Sequence, residues 1–258
     1  MKYFYRSPHE RSDMRGRASA QAPFPHIAAL MRATLVAALA LSLVSSPARA
    51  ETVEVAPGVQ VTKRSYSAPV NEQPFYGFVV KDAAQRDADE KFVSALVAAT
   101  GSRDKAYEEA TKRAWRAVLA GKASEAAVRF NQAFLLAQQP SELYHGMALV
   151  ALMRFGDPVA AEELFNIARK QPKPLKMLNA DYGRFLLVAK RPREAQPVLE
   201  QAVLDVPDVG DAWSNLAMAR LQNGDRAAAC TAAAEATKRR PSATASKDLA
   251  TLVTSAKC

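Results

Sequence analysis

Few side chains in this sequence can do acid–base, nucleophilic or metal chemistry, and none is placed for it. There are three histidines. His9 and His26 lie in an amino-terminal stretch of distinct composition, so His145 is the one imidazole of the remaining chain. A base or a metal site needs company, either a second ligand one helical turn away or a carboxylate and a nucleophile within reach. His145 has neither at recognisable spacing, and no Gly-rich phosphate loop or Gly-x-Ser-x-Gly elbow occurs. The paired acids Glu108-Glu109 and Glu162-Glu163 stand near basic residues, as solvated helix faces do. The two cysteines, Cys230 and Cys258, are too far apart for a Cys-x-x-Cys redox pair. The residues therefore predict no enzyme, no cofactor and no metal, and function is sought in a surface.

The elements that would shape such a surface are marked by alanine. Ala126, Ala161, Ala195 and Ala229 are spaced 35, 34 and 34 residues apart. Ala133, Ala168, Ala202 and Ala236 follow seven residues behind with the same spacings. Self-similarity at this period marks stacked helical hairpins, each burying its apolar face against the next. The last unit is the fullest, with Gly210, Trp213, Leu216-Ala217, Leu221, Gly224-Asp225, Ala229, Ala233, Ala236 and Pro241. Trp213 and Leu216 share one helix face. Ala217 and Ala229 are small where the two helices cross. Gly224 supplies the left-handed residue that ends the first helix, and Asp225 caps the second. Pro241 stops that second helix.

This pattern resembles the tetratricopeptide repeat, and three earlier units fall in phase with it. One carries Tyr182-Gly183, Ala195, Leu199, Ala202 and Pro207, with Lys190-Arg191 in place of Gly-Asp at the turn and Pro192 after it. Another carries Tyr144, Met147-Ala148, Gly156-Asp157, Ala161, Phe165 and Ala168, its first helix one residue longer. The earliest carries Ala114, Gly121-Lys122, Ala126, Phe130 and Ala133, with Ala110 where the signature Trp is expected. The resemblance implies an all-α fold, a right-handed superhelical solenoid of about four helical hairpins over residues 105–242. It also implies that the first helix of each hairpin lines a concave groove.

Carried over residue by residue, the family's groove places fall on Thr111, Trp115, Val118 and Leu119 in the first unit and on His145, Leu149, Leu152 and Met153 in the second. The third unit supplies Met177, Ala180, Arg184, Leu187 and Val188, and the last Asp211, Ser214, Met218, Leu221 and Gln222. Trp115, Leu119, His145, Leu149, Met153, Met177, Arg184, Leu187, Met218 and Leu221 are taken as the partner-binding set. The expected lining is mostly apolar, and its methionines suit a deformable surface. Arg184 either pairs a carboxylate or stands solvated at the rim. The Lys/Asn clamp by which some family members hold a terminal carboxylate is not recognisable, since Thr111 and Trp115 occupy its places. Apolar lining also disfavours a polysaccharide.

The ends of the chain differ in character. Met31-Arg32, an apolar run from Ala33 to Val44 and an Ala48-Arg49-Ala50 site read as a secretory signal within a leader at 1–50, with an alternative start at Met31. An uncleaved anchor or a buried helix is the alternative. Glu51, not Cys, follows the site, which argues against lipid attachment. Net charge is +9, but seven of the 35 basic and two of the 26 acidic residues lie in the leader, leaving 28 against 24. Nucleic acid is therefore not an expected partner. Residues 51–81 alternate valines around Pro57-Gly58 and suggest a hairpin or an extended arm, serving as a linker or as an element that docks. Residues 82–104 are expected to form an amino-terminal capping helix, and 243–258 a carboxy-terminal one. A cap turning at Pro241 and running antiparallel to the preceding helix returns Cys258 toward Cys230, which predicts a disulfide. The expectation is a periplasmic or secreted, non-catalytic module that binds a peptide segment of an envelope protein. A self-associating scaffold of an envelope complex is the alternative.

Overall fold

In the computed structural model, residues 51–258 are described, and the expected leader lies outside them. An antiparallel hairpin of β1 (Thr52–Ala56) and β2 (Val59–Thr62) comes first, followed by two 3-10 turns at Val70–Glu72 and Pro74–Phe78. Ten helices follow among the described residues: α1 (Ala83–Thr100), α2 (Arg103–Leu119), α3 (Ala123–Leu136), α4 (Ser141–Phe155), α5 (Pro158–Lys170), α6 (Leu178–Val188), α7 (Pro192–Asp205), α8 (Gly210–Gln222), α9 (Arg226–Lys238) and α10 (Ala243–Ala256). Helices α2 to α9 pair in sequence into four hairpins, each stacked on the next. None is long and apolar enough to cross a membrane.

The periodic alanines explain the stacking. All eight members of the two series have 0% exposure. A methyl group at these points lets helix axes approach closely, and a larger side chain would hold them apart. Larger side chains fill the spaces between: Phe130, Tyr144, Leu164, Phe165, Leu199 and Leu216 are all buried. Asp157 and Asp225 each accept a backbone N–H at the start of their second helix. Gly156 and Gly224 close their first helices with φ of 62° and 90°. Lys190 takes this role in the third hairpin, at φ 59° without a glycine.

The arm at residues 51–81 is folded onto the solenoid. The backbone N–H of Thr62 donates to Glu163 on α5, and Arg64 pairs with Glu163 and Asp157. Tyr66 donates its hydroxyl to Asp157 (2.9 Å) and stacks on Phe155. Asn131 of α3 donates to the carbonyls of Asn71 and Gln73, while Glu72 pairs with Arg154. Phe75 is buried against Phe78, Phe134 and Tyr144. It begins a left-handed stretch in which Phe75, Tyr76 and Phe78 have φ of 55°, 55° and 60°. Such residues cost about 1 kcal/mol or more each, and the buried ring offsets that cost.

Helices cap both ends. Asp82 and Gln85 form a reciprocal capping box at the start of α1, whose Val93, Leu96 and Val97 pack against the core. Helix α10 packs along α8 and α9, and a disulfide joins Cys258 just beyond its end to Cys230 on α9.

Candidate functional site

The first helices of the hairpins, together with α10, enclose an open trough of about 410 Å³. Its apolar wall comprises Val118, Leu119, Leu149, Met153, Leu175, Met177 and Ala180. Leu119 and Leu175 stand on the lip at 54% and 36% exposure, the condition of side chains awaiting a partner.

A ladder of polar contacts runs through the same trough, with one rung between each successive pair of lining helices. The Trp115 indole N–H on α2 donates to Glu142 Oε1 on α4 at 2.7 Å. His145 on α4 has its Nε2 2.9 Å from Asp181 Oδ2 on α6. Arg184 on α6 donates to Asn215 Oδ1 on α8 at 3.3 Å and to Asp248 Oδ2 on α10 at 3.1 Å. Asp211 Oδ1 on α8 accepts the backbone N–H of Ser242, the N-cap of α10, at 2.7 Å. Each rung comes from elements far apart in sequence, so the ladder exists only when the hairpins are stacked.

The rungs differ electrostatically. Asp248 is compensated by Arg184, and Asp181 faces His145. Glu142 and Asp211 are held only by neutral N–H donors in these rungs. Burial raises the Glu142 carboxyl above the usual carboxylate range. The Trp115 hydrogen bond, His145 and the Thr111 hydroxyl pull it down, and Glu108 adds to the rise. His145 is fully buried between the rings of Trp115 and Phe165, with centroids 5.0 and 5.8 Å away. With Nε2 turned to Asp181, its Nδ1 has no hydrogen-bond partner.

Of the residues named from the sequence, the trough brings together Trp115, Leu119, His145, Leu149, Met153, Met177 and Arg184. Leu187, Met218 and Leu221 do not line it, which corrects the expected set. Leu187 is 7% exposed in the core, while its neighbour Val188 turns outward, because one residue rotates a side chain about 100° around a helix. Met218 and Leu221 are half-buried against the core on α8, the helix that α10 packs along. Arg184 is paired with Asp248 and partly solvated. The lining is mostly apolar, as expected, although Glu142, Asp181, Asp211 and Asp248 also enter it.

Helix α10 contributes Ser242, Thr244, Ala245 and Asp248 to the trough, so the terminal cap also acts as a fifth lining helix. The signal for this was in the repeat itself. Counting one more period from Gly210 reaches Thr244, at the start of α10. Among the described residues, no group of three or more His, Cys, Asp and Glu side chains is placed to hold a metal ion.

Solved structures with similar stacks include one from the functional characterization of Pseudomonas aeruginosa PilF. It is 22% identical with a TM-score of 0.53, over 60% of this chain and 71% of that one. YrrB, described as a TPR protein with an unusual peptide-binding site, is 18% identical at a TM-score of 0.48, over 66% of this chain and 85% of that one. The APC/C hetero-tetramer Cut9–Hcn1 is 18% identical at a TM-score of 0.48, over 64% of this chain and 36% of that chain. No protein-family model matches the sequence, and no curated protein is significantly similar to it. The four hairpins and the first of these likenesses establish an all-α tetratricopeptide-repeat fold.

Proposed function

We propose that this chain, a tetratricopeptide-repeat solenoid, is an exported, non-catalytic interaction module that holds a peptide segment of an envelope protein in the trough. The observation carrying this reading is the trough itself, open across the first helices of the hairpins, apolar along one wall and bordered by exposed Leu119 and Leu175. A preformed groove of this kind binds an extended or helical segment by burying its apolar side chains, with little ordering cost to the protein. The Ala-x-Ala site before Glu51 supports export, as does the pairing of both cysteines in a disulfide.

The test is co-purification from envelope extract, comparing the native chain with a Leu119→Asp/Met177→Glu variant whose circular dichroism matches it. A partner held by the first and lost by the second supports groove binding, and one held by both places binding elsewhere. Val79 and Val80, 50% and 92% exposed just before α1, favour a second reading of self-association through the amino-terminal end. Mass measurement across a concentration series tests it, and an unchanging monomer counts against it.

A further inference from the structure

We propose that the segment held in the trough is cationic, with a lysine or arginine reaching Glu142 or Asp211 beside apolar side chains seated on Leu119, Met153 and Met177. This rests on the groove reading and adds the chemistry of the occupant.

Three observations carry it. The first is the balance of charge among the trough-lining residues. Four carboxylates enter the lining, against one guanidinium and one imidazole. Arg184 is committed to Asp248, and His145 faces Asp181. Glu142 and Asp211 are left as carboxylates whose rungs supply neutral donors alone. A carboxylate drawn out of water without a cation is costly, and an incoming ammonium or guanidinium removes that cost.

The second is the direction of the Glu142 titration. Burial dominates over the Trp115, His145 and Thr111 contacts that oppose it, so the local surroundings do not neutralise the ionised form. Glu108 on α2 pushes the same way.

The third is independent of the carboxylates. Leu119 and Leu175 stand exposed on the lip, beside Met153 and Met177 of the same lining. Glu142 and Asp211 are acceptors without a cation, which a donor-rich cationic side chain satisfies and an acidic one repels. The apolar wall adds the complementary requirement for neighbouring aliphatic or aromatic residues.

The experiment pans a random dodecapeptide display library on the full chain and reads the composition of the enriched sequences. Enrichment of lysine or arginine beside leucine, isoleucine, methionine or phenylalanine is expected. Changing the basic residue of the best peptide to glutamine should weaken binding about ten-fold or more, the scale of one charge-assisted contact. That difference should collapse in a Glu142→Gln/Asp211→Asn variant, which preserves side-chain shape. Should the variant not fold, the peptide substitution on the native chain decides alone. Neutral or acidic winners, or a lysine-to-glutamine change without effect, overturn the cationic assignment and leave the groove reading standing. Winners whose binding survives Leu119→Lys/Met177→Lys, which blocks the apolar wall and repels a cation, or no enrichment at all, overturn both.

Discussion

Arg184 on α6 reaches Asp248 on α10, Nη2 to Oδ2 at 3.1 Å, and so ties the third hairpin to the end of the solenoid across 64 residues of sequence. Arg184→Met keeps the aliphatic stem and removes the tie. Both side chains are partly solvated, so global stability should fall by only about 0.5 kcal/mol. Amide exchange across residues 243–256, followed by mass spectrometry, should accelerate while that of α2 to α5 stays unchanged. Uniform acceleration would show that the pair does not act on the cap.

The second fastening of α10 is covalent. The disulfide between Cys230 and Cys258 closes a loop of 28 residues, and a loop of that size contributes about 3.5 kcal/mol on the chain-entropy account. A Cys230→Ala/Cys258→Ala variant, or reduction, should lower the urea midpoint and loosen α10 first. Because α10 supplies one wall of the trough, peptide affinity should fall with it. Affinity unchanged under reduction would separate the cap from binding.

Gly146 offers a sharp packing test. A Cβ there would lie 2.0 Å from Cζ of Phe130, a fully buried ring. Gly146→Ala should destabilise the fold by about 1–3 kcal/mol through overpacking. Gly146→Ala/Phe130→Leu should recover part of the loss, as thermal melts of the two variants will show. Equal stability of Gly146→Ala and the native chain would mean the α3–α4 contact is looser than described.

Glu142 predicts a dependence on pH. Its folded carboxyl titrates above the unfolded value because of burial. The folded state therefore holds the proton more tightly, and this group's contribution is fully present below the ordinary carboxylate pKa and lost as pH rises through the raised one. Glu142→Gln should make the protein more stable than native at neutral pH, with the advantage fading in acid. Denaturant melts at several pH values measure it, and an advantage that grows in acid would refute the assignment.

Phe75 anchors the arm. Phe75→Ala removes a buried ring from among Phe134 and Tyr144, a change costing about 3–5 kcal/mol where the surroundings cannot collapse. The arm is a docked segment, so the loss should appear as fast amide exchange over 52–78 with the helices still protected. Protection lost across α2 to α5 as well would make the arm part of the cooperative core.

The fold was legible because its cause is local and repeated. Alanine at two fixed points per hairpin has a single physical reason, close helix crossing, and all eight are fully buried. Gly224-Asp225 likewise states a turn and a cap in two letters. Lys190 shows the limit, since a lysine performs the same left-handed turn and no residue type announces it. The trough was legible in part. Phase alone brings Leu119, Met153 and Met177 to one surface, but it cannot say which charges pair across hairpins. The Trp115–Glu142 and His145–Asp181 rungs join residues 27 and 36 apart, and no period encodes such pairings. Leu187 failed for a simpler reason, one step of helix rotation.

The arm has a mechanical consequence. A stack of hairpins behaves as a soft spring, changing pitch by small rotations between neighbouring units. Residues 62–75 run from the amino-terminal half of α5 to α3 and grip both, together with α4, by ion pairs and buried rings. This strap makes the first two hairpins a stiff block. The third and fourth hairpins are held instead by α10, through Arg184–Asp248 and the Cys230–Cys258 disulfide, so each half of the stack has its own fastening.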